Sequence, residues 1–181
     1  MSEYRVATRY AKALLDLGKT EQSIDVVYKD MQHVVEVIRT HPELRAVLDN
    51  PIIKLDKKER IVQAVFGKSI QEQVLRFFNI MIRKGRSNLI YELGKEYINL
   101  YYIEKNIKRA SVISATPLHT DHVKALTQLL EEETGSTIQL EQQVDPTLIG
   151  GLIVRVGDRQ IDASVSGKLD RLEKHLKTES I

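Results

Sequence analysis

The chain has 181 residues, 42% of them hydrophobic, 29% charged and 6% aromatic. This length suits one or two domains with a real core. Twenty-seven basic against 25 acidic residues give a net charge of +2, which argues against a strongly basic nucleic-acid binder or a charged disordered tail as the main theme. With no cysteine and no tryptophan, disulfides, thiolate metal sites and cysteine nucleophiles are excluded. No apolar run approaches the ~20 residues of a membrane span, and the start passes directly into helical pattern, so neither a signal nor a transit peptide is expected.

Residues 1–105 read as six amphipathic helices. The first covers Glu3–Leu17 and is closed by Gly18. The second begins near Thr20 and repeats Ile24, Val27, Met31, Val34, Val35 and Ile38 at helical period. A short third helix has Pro42 in its first turn and stops before Asn50-Pro51. Asp56 with Glu59, and Ser69 with Glu72, resemble capping boxes that open the fourth and fifth helices. Gly85 ends the fifth, and Ser87 caps a sixth that carries Leu93, Tyr97 and Tyr101. Short links between such helices predict a compact bundle.

After Asn106 the period changes. Lys108–Ala115 alternates as a strand, Thr120 opens a helix that ends at Gly135, and Ile138, Leu140, Gln142 and Val144 alternate as a half-buried strand. Asp145-Pro146 is a turn, Leu148–Val156 a further strand and Gly157-Asp158 the turn to a short return strand ending at Asp162. Ser164 then caps a last helix with Val165, Leu169, Leu172 and Leu176 on one face. The order β-α-β-β-β-α is a small α/β unit, so the fold class expected is α+β in two domains, 1–105 and 106–181. Charge divides at the same point: the first segment holds 18 basic and 14 acidic residues, the second 9 and 11.

Little in the chain fits catalysis. His119-x-x-His122 has the spacing of a metal pair, but zinc needs three or four ligands. Asp158 and Asp162 fall in a turn and at a helix start, where local structure accounts for them. Gly150-Gly151 enters a strand and matches no phosphate-cradling motif. No catalytic residue, cofactor or metal is therefore expected. Basic clusters at Lys54–Arg60 and Arg83–Arg86 raise a helical nucleic-acid-associated protein as the alternative, but the first alternates with Asp56 and Glu59 as a solvated helix start does, and the second lies at a helix C-terminus, where cations complement the dipole.

Two helices carry surplus apolar surface. On the first, Val6, Tyr10, Ala13, Leu14 and Leu17 form one stripe, and Tyr4, Ala7, Ala11 and Leu15 a second of largely small residues. On the fifth, Arg76 and Asn79 are the only polar positions from Val74 to Ile82. A helix apolar nearly all round is buried on more than one side, either at the centre of the bundle or under a partner's amphipathic helix. The lining expected for such a groove is Tyr10, Ala11, Leu14, Phe77, Phe78 and Met81, with Ala7 and Val74 at its edges.

The run from Val144-Asp145 through Leu148-Ile149-Gly150-Gly151-Leu152, Gly157-Asp158, Asp162 and Ser164-Val165 to Leu169 resembles the signature of the ATP synthase delta subunit family, which includes the mitochondrial oligomycin-sensitivity-conferring protein. Arg9-Tyr10-Ala11-x-Ala13-Leu14, and Asn79 with Gly85-Arg86, agree with it. The resemblance implies a stator protein with no active site, peripheral to the cytoplasmic face of a bacterial cell membrane. It implies that the helical domain clasps the N-terminal helix of an alpha subunit and that the C-terminal domain meets the b-subunit stalk. Asp145, Gly150, Gly151, Gly157, Asp158, Asp162 and Ser164 are its structural signature.

Overall fold

The computed structural model describes residues 3–179. It divides into two compact units, Met1–Glu104 and Lys105–Ile181. The first contains α1 (Glu3–Thr20), α2 (Ile24–Thr40), α3 (Pro42–Asp49), α4 (Leu55–Phe66) and α5 (Glu72–Arg83), then a 3-10 turn at Ser87–Leu89 that leads into α6 (Ile90–Glu104). Helix α6 packs against α1 and α2, and α4 against α5. The core is the set of stripes these helices turn inward: Ala7, Ala11 and Leu14 from α1, Val27, Met31 and Val34 from α2, Val74, Phe78 and Met81 from α5, and Leu93 and Tyr97 from α6.

Several helix ends differ from the sequence reading. Helix α1 runs on through Gly18 to Thr20; Gly18 is packed near Ile24 and the Tyr97 hydroxyl, and the left-handed residue of the link is Gln22. Helix α4 starts at Leu55, which places Asp56 in its first turn rather than at the cap. Ser69 does not cap α5: its hydroxyl donates to the Phe66 carbonyl, and the start of α5 is held from outside, by Asp30 of α2 accepting from the Gln71 N–H at 2.9 Å. Ser87 opens the 3-10 turn rather than α6 directly. The His119 ring, not Thr120, takes the cap position of the next helix and accepts from the Asp121 N–H.

The second unit contains β1 (Ile107–Ser114), α7 (Thr120–Thr134), β2 (Thr137–Val144), β3 (Leu152–Val156), β4 (Arg159–Asp162) and α8 (Val165–Glu179). The sheet order is β2-β1-β3-β4. Strands β1 and β2 are parallel and joined through α7, whereas β1–β3 and β3–β4 are antiparallel. Its core is small: Ala110, Val112, Leu130, Ile138 and Val154, with Leu126 and Leu140 against them. Residues 148–151, read from sequence as part of β3, precede it. Strand β2 is an edge strand whose second half leaves the core, so of the expected alternating set Ile138 is buried and Val144 exposed.

Candidate partner-binding surfaces

Eight residues on α1 and α5 are expected to line a groove, and the structure separates them. Ala7, Ala11, Leu14, Val74, Phe78 and Met81 are fully buried inside the bundle, so they do not face an open groove. The reason is geometric. Alanine and leucine at positions 7, 11 and 14 recur at helical spacing on one face, and their small size brings α1 close to its own neighbours instead of to a guest. Tyr10 and Phe77 remain half-buried at the surface, with ring centroids 6.2 Å apart and edge to face.

Beside this pair lies a groove of about 410 Å³ whose apolar lining is Leu17, Phe77 and Ile80. Ile80 is 55% exposed. The flanks are polar: Arg76 is paired with Glu72 at 2.6 Å, and Gln73 donates to the Ser23 hydroxyl at 2.9 Å. The Asp30 bond to the N-terminus of α5 fixes the helix that supplies most of this lining. Burial pushes the Asp30 carboxyl above its usual range, although the Gln71 N–H opposes the shift.

Sequence reasoning passed over Lys58. It is 4% exposed, and its amine donates to the Leu48 carbonyl and the Ser87 hydroxyl, both at 2.7 Å. Ser87 itself donates to Leu48 at 2.6 Å. The three groups knot α3, α4 and the 3-10 turn together. Burial pushes the amine down from its usual value, and nearby Asp49 opposes this.

In the second unit the signature residues build backbone architecture. Asp145 accepts from the Thr147 N–H and hydroxyl at 2.9 and 2.6 Å, an Asx turn, and these bonds hold its carboxyl below the usual range. Gly151 has φ +81°, and a Cβ there would lie 2.5 Å from the Ala163 carbonyl oxygen. That close approach lets Ala163 N–H donate to Leu152 and Val165 N–H to Gly150. Asp162 accepts from the Ser164 N–H at 2.8 Å and its hydroxyl at 2.6 Å, which again lowers its carboxyl. Ser164 in turn accepts from the Gly167 N–H, capping α8. Gly157 takes φ +56° in the β3–β4 turn, beside exposed Asp158. Asp162 is thus engaged in the capping network of α8, and Asp158 lies in the β3–β4 turn.

The second unit also leaves apolar side chains outside. On α8, Val165, Leu169 and Leu172 are 39%, 54% and 57% exposed; Leu176 lies outside the residues whose side chains are described. His119 and His122 stand with ring centroids 6.3 Å apart. Among the described residues no group of three or more His, Asp or Glu is placed to hold a metal ion, and no described helix is long and apolar enough to cross a membrane.

Comparison with known proteins agrees with this picture. The family model for the ATP synthase delta (OSCP) subunit matches residues 6–176. The chain is 34% identical to ATP synthase subunit delta of Bacillus pumilus over 181 residues, 99% of each chain. It is 33% identical to that of Syntrophomonas wolfei over 176 residues, 97% of each. A chain in the mitochondrial ATP synthase hexamer of Toxoplasma gondii shares the fold, with TM-score 0.68 and 18% identity over 94% of this chain and 96% of that one. A sequence match across nearly the whole chain, on a fold whose signature residues shape backbone rather than a reaction site, has one reading: the chain belongs to the ATP synthase delta (OSCP) subunit family, a non-catalytic peripheral-stalk component of the F-type ATP synthase.

Proposed function

We propose that the helical unit holds the N-terminal helix of an alpha subunit across the face where α1 meets α5, and that the C-terminal unit meets the b-subunit stalk. The observation that carries this reading is the Tyr10–Phe77 pair beside a groove floored by Leu17 and Ile80, an apolar strip left uncovered on a helix whose other apolar residues are core. A guest helix of about 20 residues spans ~30 Å, enough to lie along both helices. On the C-terminal side, the exposed α8 stripe of Val165, Leu169 and Leu172 has the spacing of one half of a helix–helix seam, the form in which a stalk helix would be received. Held at both ends, the chain would keep the catalytic head from turning with the rotor, on the cytoplasmic face of a bacterial cell membrane.

Resisting torque calls for tight binding, of nanomolar order or ~12 kcal/mol, concentrated in a few anchors. A peptide copying the alpha-subunit N-terminus, titrated against the full chain, should bind, and Phe77→Ala should weaken it about tenfold or more. Ile80→Ser should act in the same direction, with little change in melting because Ile80 is exposed. Failure of the peptide to bind the wild-type chain would remove the alpha-clasp assignment.

A further inference from the structure

The two basic clusters of the sequence, far apart along the chain, meet at one end of the helical unit. Lys58 reaches both the last turn of α3, at Leu48, and the 3-10 turn, at Ser87. Arg83 at the end of α5 pairs with Glu59 in the first part of α4 at 2.7 Å. These contacts place the α3–α4 link, residues 50–54, beside the link after α5, residues 84–86. Lys54, Lys57, Lys84 and Arg86 are all exposed there, and none makes an ion pair among the described residues. Among the other exposed cations of the unit, Arg39–Glu36, Arg45–Asp49, Arg76–Glu72 and Lys95–Glu92 are paired, while Arg5, Arg9, Lys12, Lys29, Arg60 and Lys68 make no ion pair among the described residues but lie scattered along the sequence.

In the same link as Lys54 stands Ile52, 88% exposed, the most exposed large hydrophobic among the described residues. It is held there: the Asn50 side chain accepts from the Ile52 N–H at 2.9 Å, Pro51 fixes the backbone before it, and the Lys58 knot anchors the helix ends on either side. Leu55 beside it is 40% exposed. An isoleucine displayed on a stiff turn is a pre-organised contact that loses little conformational entropy on binding. The exposed cations at this end of the unit, which outnumber the exposed acid Asp56 between Lys54 and Lys57, favour an acidic counterpart and repel basic surfaces. Nucleic acid is the poorer match, since phosphates have no use for an apolar knob and the cluster lacks aromatics for base stacking.

We propose that this end of the helical unit is a second docking surface, separate from the α1–α5 groove. Ile52 enters an apolar socket on an acidic protein surface of the ATP synthase, and Lys54, Lys57, Lys84 and Arg86 meet the carboxylates around that socket. The proposal rests on the stator reading for the identity of the assembly and on nothing else in it. The test titrates the full chain against ATP synthase stripped of this subunit. Ile52→Ser should lower affinity about ten- to hundredfold, the range expected from losing one buried aliphatic side chain. Lys54→Glu/Lys57→Glu, and separately Lys84→Glu, should lower it more at low salt than at high salt. All three variants should melt as wild type and still bind the alpha-subunit peptide, because the altered residues are exposed and outside the groove. Affinities within twofold of wild type at low salt would overturn the proposal. So would capture of the wild-type chain by phosphatidylglycerol vesicles or single-stranded RNA, lost in the Lys54→Glu/Lys57→Glu variant, with binding to the stripped complex unaffected. Failure of the peptide to bind wild type would strike the groove and leave this surface to be decided by the stripped complex.

Discussion

Gly151→Ala should unfold the C-terminal unit and spare the helical one. The perturbation is a single methyl group. Gly151 sits at φ +81°, and the added Cβ would meet the Ala163 carbonyl oxygen at 2.5 Å and the Ser164 Cα at 2.9 Å. Both are backbone atoms, so no side chain can swing away. The left-handed conformation costs about 1–2 kcal/mol for a residue with a Cβ, and forcing the two backbone segments apart adds about 1–3 kcal/mol. The movement also breaks the register that gives Ala163 N–H to Leu152 and Val165 N–H to Gly150. The sum, about 2–5 kcal/mol, is large against the few kcal/mol expected of a unit this small, whose buried core comprises Ala110, Val112, Leu130, Ile138 and Val154. Gly157→Ala is the internal control: φ is +56° but nothing lies within 4 Å of the added Cβ, so it should cost about 1–2 kcal/mol from strain alone. The assay follows from composition. All seven tyrosines and all three phenylalanines lie before residue 103, so near-ultraviolet circular dichroism and tyrosine fluorescence report the helical unit alone, while the far-ultraviolet signal reports both. Gly151→Ala should reduce the far-ultraviolet signal at 25 °C and leave the tyrosine melt in place, with Gly157→Ala intermediate. A Gly151→Ala protein that melts as wild type would refute the close-approach argument. Simultaneous loss of the tyrosine signal would refute the independence of the helical unit.

Ala11→Leu tests the burial of the α1 stripe: with Ala11 fully buried, the tyrosine melt should fall by an overpacking cost of about 1–3 kcal/mol, whereas an unchanged melt would return Ala11 to the surface. Alkaline pH should weaken the helical unit. Burial, helped by a hydrogen bond to Asp25, pushes the Tyr101 hydroxyl from 10.0 up to about 12, and burial raises Tyr97 further still. A raised folded value means the native state keeps protons that the unfolded chain releases, so stability is full below pH 10 and falls as pH rises from 10 toward 12. Urea melts at pH 8 and pH 11 should show that loss, and Tyr97→Phe should reduce it; equal stabilities at the two pH values would contradict the assignment.

What could be read in advance divides along physical lines. Periodicity reports which face of a helix is apolar, and it reported α2 well, because Val27, Met31, Val34 and Ile38 are all buried. It does not report what covers that face, which is why Ala7, Ala11, Leu14, Val74, Phe78 and Met81 fitted a groove on paper and a core in three dimensions. Ser164 caps α8 and Pro42 opens α3 as expected, but the expected caps of α4, α5 and α7 failed for a related reason. A capping box is a local pattern, whereas α5 is capped by Asp30, 41 positions away in sequence, and α7 by a histidine outside the usual capping set. The two buried charged residues among the described ones, Asp30 and Lys58, did leave a trace. Lys58, Val62 and Phe66 recur every fourth position, and Asp30 sits within the Val27–Met31–Val34 stripe, so each interrupts an apolar stripe where a charge is costly unless bonded. A charged residue in phase with a buried stripe is evidence of a distant partner, and in both cases that partner is backbone at a helix end: the Gln71 N–H and the Leu48 carbonyl.

The same logic separates the parts of this chain that build it from the parts that meet other molecules. Asp145, Asp162 and Ser164 each spend their hydrogen-bonding capacity on nearby backbone or on a neighbouring hydroxyl, and Gly151 spends its freedom on one close approach, so the family signature is legible as architecture. The exposed side chains have no such account within the chain. Ile80 on the groove, Leu169 and Leu172 on α8, and Ile52 in the α3–α4 link are each more than half exposed. They occupy three sites fixed by rigid elements: an ordered helix face in two cases and a stiff turn in the third. A stator transmits force only through contacts that do not slip, which requires an anchored apolar side chain at each point of load. On that argument the two proposed docking surfaces, the α1–α5 groove and the Ile52 turn, would grip the helical unit at two places, and the second grip would stop it from pivoting about a single bound helix.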